Sequence, residues 1–255
     1  MSSPYDHFDY PAYWKGRDYE HNSEILAIRC FIKKIPRIDN FLEIGSGYGR
    51  LSKAYLYRVK KVILSDPSLK LLSIAKKNIE DFCLKNVNLL QVNIKNLPKK
   101  IRPRSQDVVM MVRVLHHIKD IDMAFKNINK VLSERGYFIL EFANKSHFKA
   151  VITEFVKGNF TFPLDIFSKD IRCKKSLKNK TLPFINYHPD TIYKKLEENG
   201  FEILETRSVS NLRNSFLKNY FPMETLLKFE AFFQTLFSKI SFGPSIFVLS
   251  RKNVI

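Results

Sequence analysis

The residues best able to do chemistry stand close together in the run Glu43-Ile44-Gly45-Ser46-Gly47-Tyr48-Gly49, followed by Asp66 and Pro67. Phe41 and Leu42 ahead of the run read as a strand, and the residues behind it, to about position 57, read as a helix. Glycines in a turn between the two let a ligand approach backbone atoms that a side chain would shield. Glu43 ends the strand, where a dinucleotide site would continue with apolar residues. A carboxylate there repels a pyrophosphate and suits a ligand carrying an ammonium and a sulfonium. Asp66 closes the next strand, Ile63-Leu64-Ser65, from which an acid can accept both hydroxyls of a ribose. Each piece also has a plain reading: the glycines a tight turn, Asp66 a helix cap. Two acids on successive strands sharpen the signal.

A second group lies farther on, in Arg113-Val114-Leu115-His116-His117 after an apolar run. Histidine titrates near neutrality and can serve as a general base. Adjacent side chains point apart, so one of the pair is expected to reach a pocket, and His116 is the candidate. A buried structural histidine is the alternative. His188-Pro189-Asp190 reads equally well as a helix start. The sequence has no His-x-x-x-His and no Cys/His cluster, so no metal site is expected.

These groups need positioning elements. Apolar residues Ile25, Ile28, Phe31, Ile32 and Ile35 recur at helical spacing over 24–35, and Pro36 stops that helix. Strands are expected at 40–44, 59–65, 87–92, 107–114 and 137–142, with helices at 68–78 and 121–132 between them. The run 107–114 is continuously apolar, as a buried parallel strand should be. Alternating strands and helices make a βαβ series, and hence an open, mostly parallel sheet. Beyond Asn144 the rhythm changes. A helix is expected from 188 to 198 with Asn199-Gly200 as its stop, strands at 201–208 and 245–250, and a long helix over 222–240. In that long helix Met223, Leu226, Phe229, Phe233, Leu236 and Ile240 share one broad face. Three regions result: 1–39, an N-terminal lid and helix; 40–145, the ligand-binding core; and 146–255, cap insertions with the last two strands.

The chain has 255 residues, 45% of them hydrophobic, which suits an ordered domain and excludes a disordered or collagenous chain. Lysine and arginine number 43 against 25 acids, a net charge of +18. That field favours polyanions, although a lysine-, isoleucine- and asparagine-rich background would give the same balance. The run Lys174-Lys175-Ser176-Leu177-Lys178-Asn179-Lys180 could steer phosphates or simply solvate a loop. Cys30, Cys83 and Cys173 are scattered, and no apolar run approaches the length of a membrane span. With no signal-peptide pattern at the start, a cytoplasmic protein is expected.

Taken in order, these motifs resemble the class I S-adenosylmethionine-dependent methyltransferases, in their small-molecule-type branch, over residues 40–145. The resemblance implies an α/β fold: a Rossmann-like, doubly wound sheet of seven strands, the last antiparallel, with helical cap insertions. It implies S-adenosyl-L-methionine as cofactor. Glu43 through Gly49, with Gly45, Ser46 and Gly47 at its centre, would cradle the methionine part. Asp66 would contact the ribose, and Pro67 the adenine side. Leu89-Leu90-Gln91-Val92-Asn93-Ile94 is similar to the motif flanking adenine, with Asn93 where the family commonly has Asp. Asp107 to Ile118 and Gly136 to Phe142 resemble the fourth and fifth strand motifs, which puts Arg113 beside the cofactor. Tyr13-Trp14-Lys15-Gly16-Arg17 resembles the segment that closes over it, with Arg17 available to the methionine carboxylate.

The phenylalanines of 146–186 and 209–241 fit an apolar or planar acceptor, such as a quinone-like ring or a lipid. They could equally glue a cap to the sheet, or let the long helix meet a membrane surface. The leading expectation is methyl transfer to a small, hydrophobic molecule. An RNA or protein methyltransferase, supported by the charge, and a non-catalytic cofactor-binding subunit remain open. Oligomeric state is not readable.

Overall fold

A computed structural model describes residues 6, 9–80, 86–173 and 181–253. The basic run at 174–180 and Cys83 lie outside the described residues. Seven strands form one sheet: β1 (Ile38–Ile44), β2 (Val59–Asp66), β3 (Val87–Gln91), β4 (Gln106–Met111), β5 (Leu132–Ala143), β8 (Phe201–Val209) and β9 (Ser245–Lys252). A separate two-stranded ribbon pairs β6 (Lys169–Asp170) with β7 (Ile185–Asn186). The sheet order is β3-β2-β1-β4-β5-β9-β8. Pairings from β3 to β5 are parallel, and β9 runs antiparallel to both neighbours. The expected seven-stranded architecture with its last strand antiparallel is what forms.

Both faces are covered, because β1 and β4 alternate their side chains between two apolar layers. Phe41, Val108 and Met110 join one layer with α2 (Asp18–Lys34) and α3 (Leu69–Glu80). Leu42, Val109 and Met111 join the other with α5 (Ile121–Val131) and α7 (Pro189–Glu198). The remaining helices are α1 (Tyr10–Tyr13), α4 (Leu97–Lys100), α6 (Phe148–Val156), α8 (Ser215–Tyr220) and α9 (Met223–Leu236). Helix α7 ends as its sequence predicts: Asn199 caps it, and Gly200 takes φ +81°, a conformation that costs glycine little.

Three elements differ from expectation. No α-helix follows the glycine turn; two short 3₁₀ turns, Ser52–Ala54 and Leu56–Arg58, stand there instead. They bring Tyr55 inward, its ring stacked on Phe41 at 4.1 Å and its hydroxyl donating to Glu43. Strand β4 ends at Met111 rather than Val114, because Arg113 turns into the left-handed region at φ +61°. The long helix buries Leu226, Glu230 and Gln234, and it leaves Phe229 and Leu236 about half exposed. Buried hydrogen bonds decide that rotation. Glu230 accepts from the Tyr19 hydroxyl at 2.5 Å and the Ser210 N–H at 2.7 Å, while Gln234 donates to the Ser23 carbonyl at 2.9 Å.

Candidate active site

The chain order reverses between β1 and β4, and ligands of open α/β sheets bind beyond the strand ends at such a point. A cavity of ≈610 Å³ lies there. Its floor is the glycine turn. Gly45 and Ser46 both donate their N–H to the Ser65 carbonyl, at 2.7 and 3.0 Å, which ties the turn to the end of β2. Gly45 has φ +69°, and a Cβ there would sit 2.2 Å from Val114 Cγ2, so glycine is required.

Asp66 lines the cavity at 5% exposure. Its Oδ2 accepts the Gly47 N–H at 3.0 Å and its Oδ1 the Ser68 N–H at 2.8 Å. Burial raises its pKa, against the lowering pull of those two N–H groups. Each carboxylate oxygen still has capacity for another donor.

Among the expected site residues, Gly45, Gly47, Asp66, Pro67, Asn93, Ile94 and Arg113 line the cavity. Glu43, Ser46, Arg17 and His116 are not among its lining residues. Glu43 lies 3% exposed behind the turn with Tyr55, and burial pushes its carboxyl up to about 7. The Ser46 hydroxyl is buried beside the turn and has no hydrogen-bond partner among the described residues. The Arg17 guanidinium stacks 4.1 Å over the Tyr13 ring. Asn93 spends its side-chain oxygen on the Asn96 N–H at 3.0 Å, capping a 3₁₀ turn.

The histidines exchange places relative to expectation. His116 is buried, its ring packed on Phe184 at 4.3 Å, and burial drives its pKa well down. His117 lines the cavity. Its Nδ1 lies 2.7 Å from the Pro183 carbonyl oxygen. A carbonyl can only accept, so Nδ1 carries the proton and Nε2 holds the ring's lone pair. Burial lowers the His117 pKa, which keeps the ring neutral near neutrality.

Charged residues that sequence reasoning passed over organise the far end. Glu24 on α2 is fully buried and takes Arg50 at 2.5 Å and Arg113 at 2.6 Å. Burial alone would raise its pKa, but the two guanidiniums outweigh that and hold it low. The Arg113 backbone N–H donates to Glu141 at 2.7 Å, which holds its left-handed backbone, while Glu24 holds its guanidinium. Trp14 lies beneath Arg50, 3.4 Å from ring centre to guanidinium. Tyr10, from the same N-terminal segment, forms part of the cavity wall. The segment reaches the cavity through Tyr10, while Trp14 packs against Arg50 and neither Trp14 nor Arg17 is among the lining residues. Glu24 was findable as an acid set among the apolar residues of α2. Tyr10 carried no signal beyond membership of an aromatic run.

Among the described residues, no group of three or more His, Cys, Asp or Glu side chains could hold a metal ion. The open glycine turn, the Asp66 carboxylate at the end of β2 and the lining residues Val92, Ile94 and Pro67 fit a nucleoside.

Comparison with known proteins agrees. Residues 42–140 match the methyltransferase domain family. With this domain the chain is an S-adenosylmethionine-dependent methyltransferase, and its fold resembles the class I family. It is 27% identical over 203 residues to the ubiquinone biosynthesis O-methyltransferase of Pelagibacter ubique, covering 76% of this chain and 80% of that one. Its fold is similar to a Listeria monocytogenes structure described as an S-adenosylmethionine-dependent methyltransferase, with TM-score 0.64, 16% identity and coverage of 93% and 100%. A Thermotoga maritima S-adenosylmethionine-dependent methyltransferase gives TM-score 0.60 at 19% identity, covering 98% of each chain.

Proposed function

We propose that the chain methylates a small, apolar acceptor that enters beside His117. The observation that carries this reading is that the apolar side chains of Ile118 and Leu182 line the same cavity as His117. The Pelagibacter relative, whose name places it in ubiquinone biosynthesis, supports the same acceptor class.

In this reading S-adenosylmethionine supplies a methyl group already activated on sulfonium, so the protein chiefly aligns and desolvates. Asp66 accepts the ribose hydroxyls, and Gly45 to Gly47 lie along the methionine part. Pro67, Val92 and Ile94 flank the adenine, with the Asn93 oxygen sharing its lone pairs between the Asn96 N–H and the base. Arg113, held by Glu24, faces the methionine carboxylate. His117 takes the proton of an acceptor hydroxyl at Nε2, with the Pro183 carbonyl fixing its tautomer. The role expected of His116 passes to its neighbour. The scattered cysteines support a cytoplasmic setting.

The test is to incubate cell extract with the enzyme and isotopically labelled cofactor, then find the labelled species by mass spectrometry. Label in a small, organic-soluble compound is expected, and label confined to RNA or protein refutes the reading. With that acceptor in hand, His117→Gln is expected to lower kcat by about 10²–10⁴-fold with cofactor affinity unchanged. An unaltered kcat removes His117 from the chemistry.

A further inference from the structure

The segment after β5 keeps its apolar side chains outside. Helix α6 has no buried residue. Phe148, Ile152, Phe155 and Val156 fall on one of its faces, with exposures from 43% at Phe155 to 84% at Val156. Farther along, Leu164 and Phe167 are 79% and 78% exposed. The outer face of α9 adds Phe232 and Leu236, both more than half exposed. A ladder of stacked rings joins the two helices: Phe148 on Phe242 at 4.6 Å, Phe242 on Phe237 at 4.6 Å, and Phe237 on Phe233 at 4.9 Å. The exposed faces are therefore parts of one apolar surface. A contiguous patch of this kind marks a contact site.

Charge selects the occupant. At +18, two copies of the chain repel each other, which disfavours self-association. Bases stand among the apolar residues, with Lys149 on α6 and Lys239 beyond α9, while Lys157 behind α6 pairs with Glu154 at 3.1 Å. A polynucleotide would match the bases, but it offers nothing to the aliphatic tips of Ile152, Val156 and Leu164. An anionic bilayer takes both, burying apolar tips at the headgroup–acyl boundary while its phosphates meet the bases. The patch also leads to the site. The Ile171 N–H donates to the Phe184 carbonyl at 2.9 Å, and Leu182, in the chain leading into β7, lines the cavity.

We propose that α6, the residues behind it to 171, and the outer face of α9 seat the protein on an anionic lipid bilayer. Seating needs neither cofactor nor turnover, so it stands or falls apart from the choice of acceptor. The full chain is sedimented with vesicles of mixed phosphatidylglycerol and phosphatidylcholine, and with phosphatidylcholine alone, in about 0.1 M salt. The parent is expected to bind the anionic vesicles at least about tenfold more tightly than the neutral ones. The variant Phe155→Ser/Val156→Ser/Phe167→Ser is expected to lose about tenfold or more. Leu204→Ser, an exposed leucine of β8, is expected to lose nothing, and all three proteins keep the same calorimetric cofactor affinity. Absence of binding to either vesicle overturns the proposal. So does undiminished binding of the triple variant, which would leave a surface of charge alone. Dimerisation by light scattering, or RNA retention, that the same serines abolish without any vesicle binding assigns the patch to another partner and also overturns it.

Discussion

Replacing Glu43 by glutamine isolates the cost of an ionised acid behind the glycine turn. Burial pushes the Glu43 carboxyl up to about 7 from 4.5, and the Tyr55 hydroxyl and Arg50 offset only part of that rise. The difference of about 2.5 units, at about 1.4 kcal/mol per unit, corresponds to about 3.5 kcal/mol. The sign follows from proton binding. The folded chain holds this proton more tightly than the unfolded chain, so the contribution is fully present below pH 4.5 and lost as pH rises through about 7. Glutamine keeps an oxygen for the Tyr55 hydroxyl and cannot ionise. Asp66, Glu141 and Glu230 are also raised by burial, so the parent's slope contains more than Glu43, and only the comparison separates it. Urea unfolding of both proteins from about pH 5 to about pH 8 is the assay. Glu43→Gln is expected to gain on the parent across that window, by up to about 3.5 kcal/mol at the alkaline end. Parallel stability curves would refute the reasoning.

Asp66→Asn keeps one oxygen acceptor for its backbone donors and gives up the charge. Calorimetry is expected to show S-adenosylmethionine affinity down by about 10–100-fold, the worth of a charged hydrogen bond, and unchanged affinity takes Asp66 out of the cofactor site. Glu24→Gln leaves Arg50 and Arg113 without the buried carboxylate they share, a loss of about 3 kcal/mol or more by denaturant unfolding near neutrality. Because the Glu24 pKa is depressed, its contribution is present above pH 4.5 and fades as pH falls through the folded value. Parent and variant therefore converge in acid. Gly45→Ala puts a methyl 2.2 Å from Val114 Cγ2 at a positive φ, and cofactor binding is expected to vanish. Val114→Ala in the same chain relieves the contact but not the backbone strain, so only partial recovery is expected.

Much of the frame was legible because it rests on local pattern. The alternation of strands and helices specifies the sheet, and the glycines mark the turn that Gly45 and Gly47 form. The misread elements are those where a buried polar contact overrides periodicity. Apolar spacing aimed Phe229 and Leu236 of α9 inward, yet the Tyr19 and Ser210 donors recruit Glu230 instead. Helical spacing also continued past Gly49, whereas the Tyr55–Glu43 pair pulls that stretch into 3₁₀ turns. The choice between His116 and His117 depends on Pro183 and Phe184, which lie far along the chain. No window of sequence contains that information.

Asp66 anchors the glycine turn with one oxygen and the start of α3 with the other. The ordering entropy of that corner is therefore met when the chain folds, not when a nucleoside arrives. Capture becomes docking onto a finished surface. Hydrogen exchange at Gly47 and Ser68 is expected to be slow in the empty protein, with little further slowing once it is loaded.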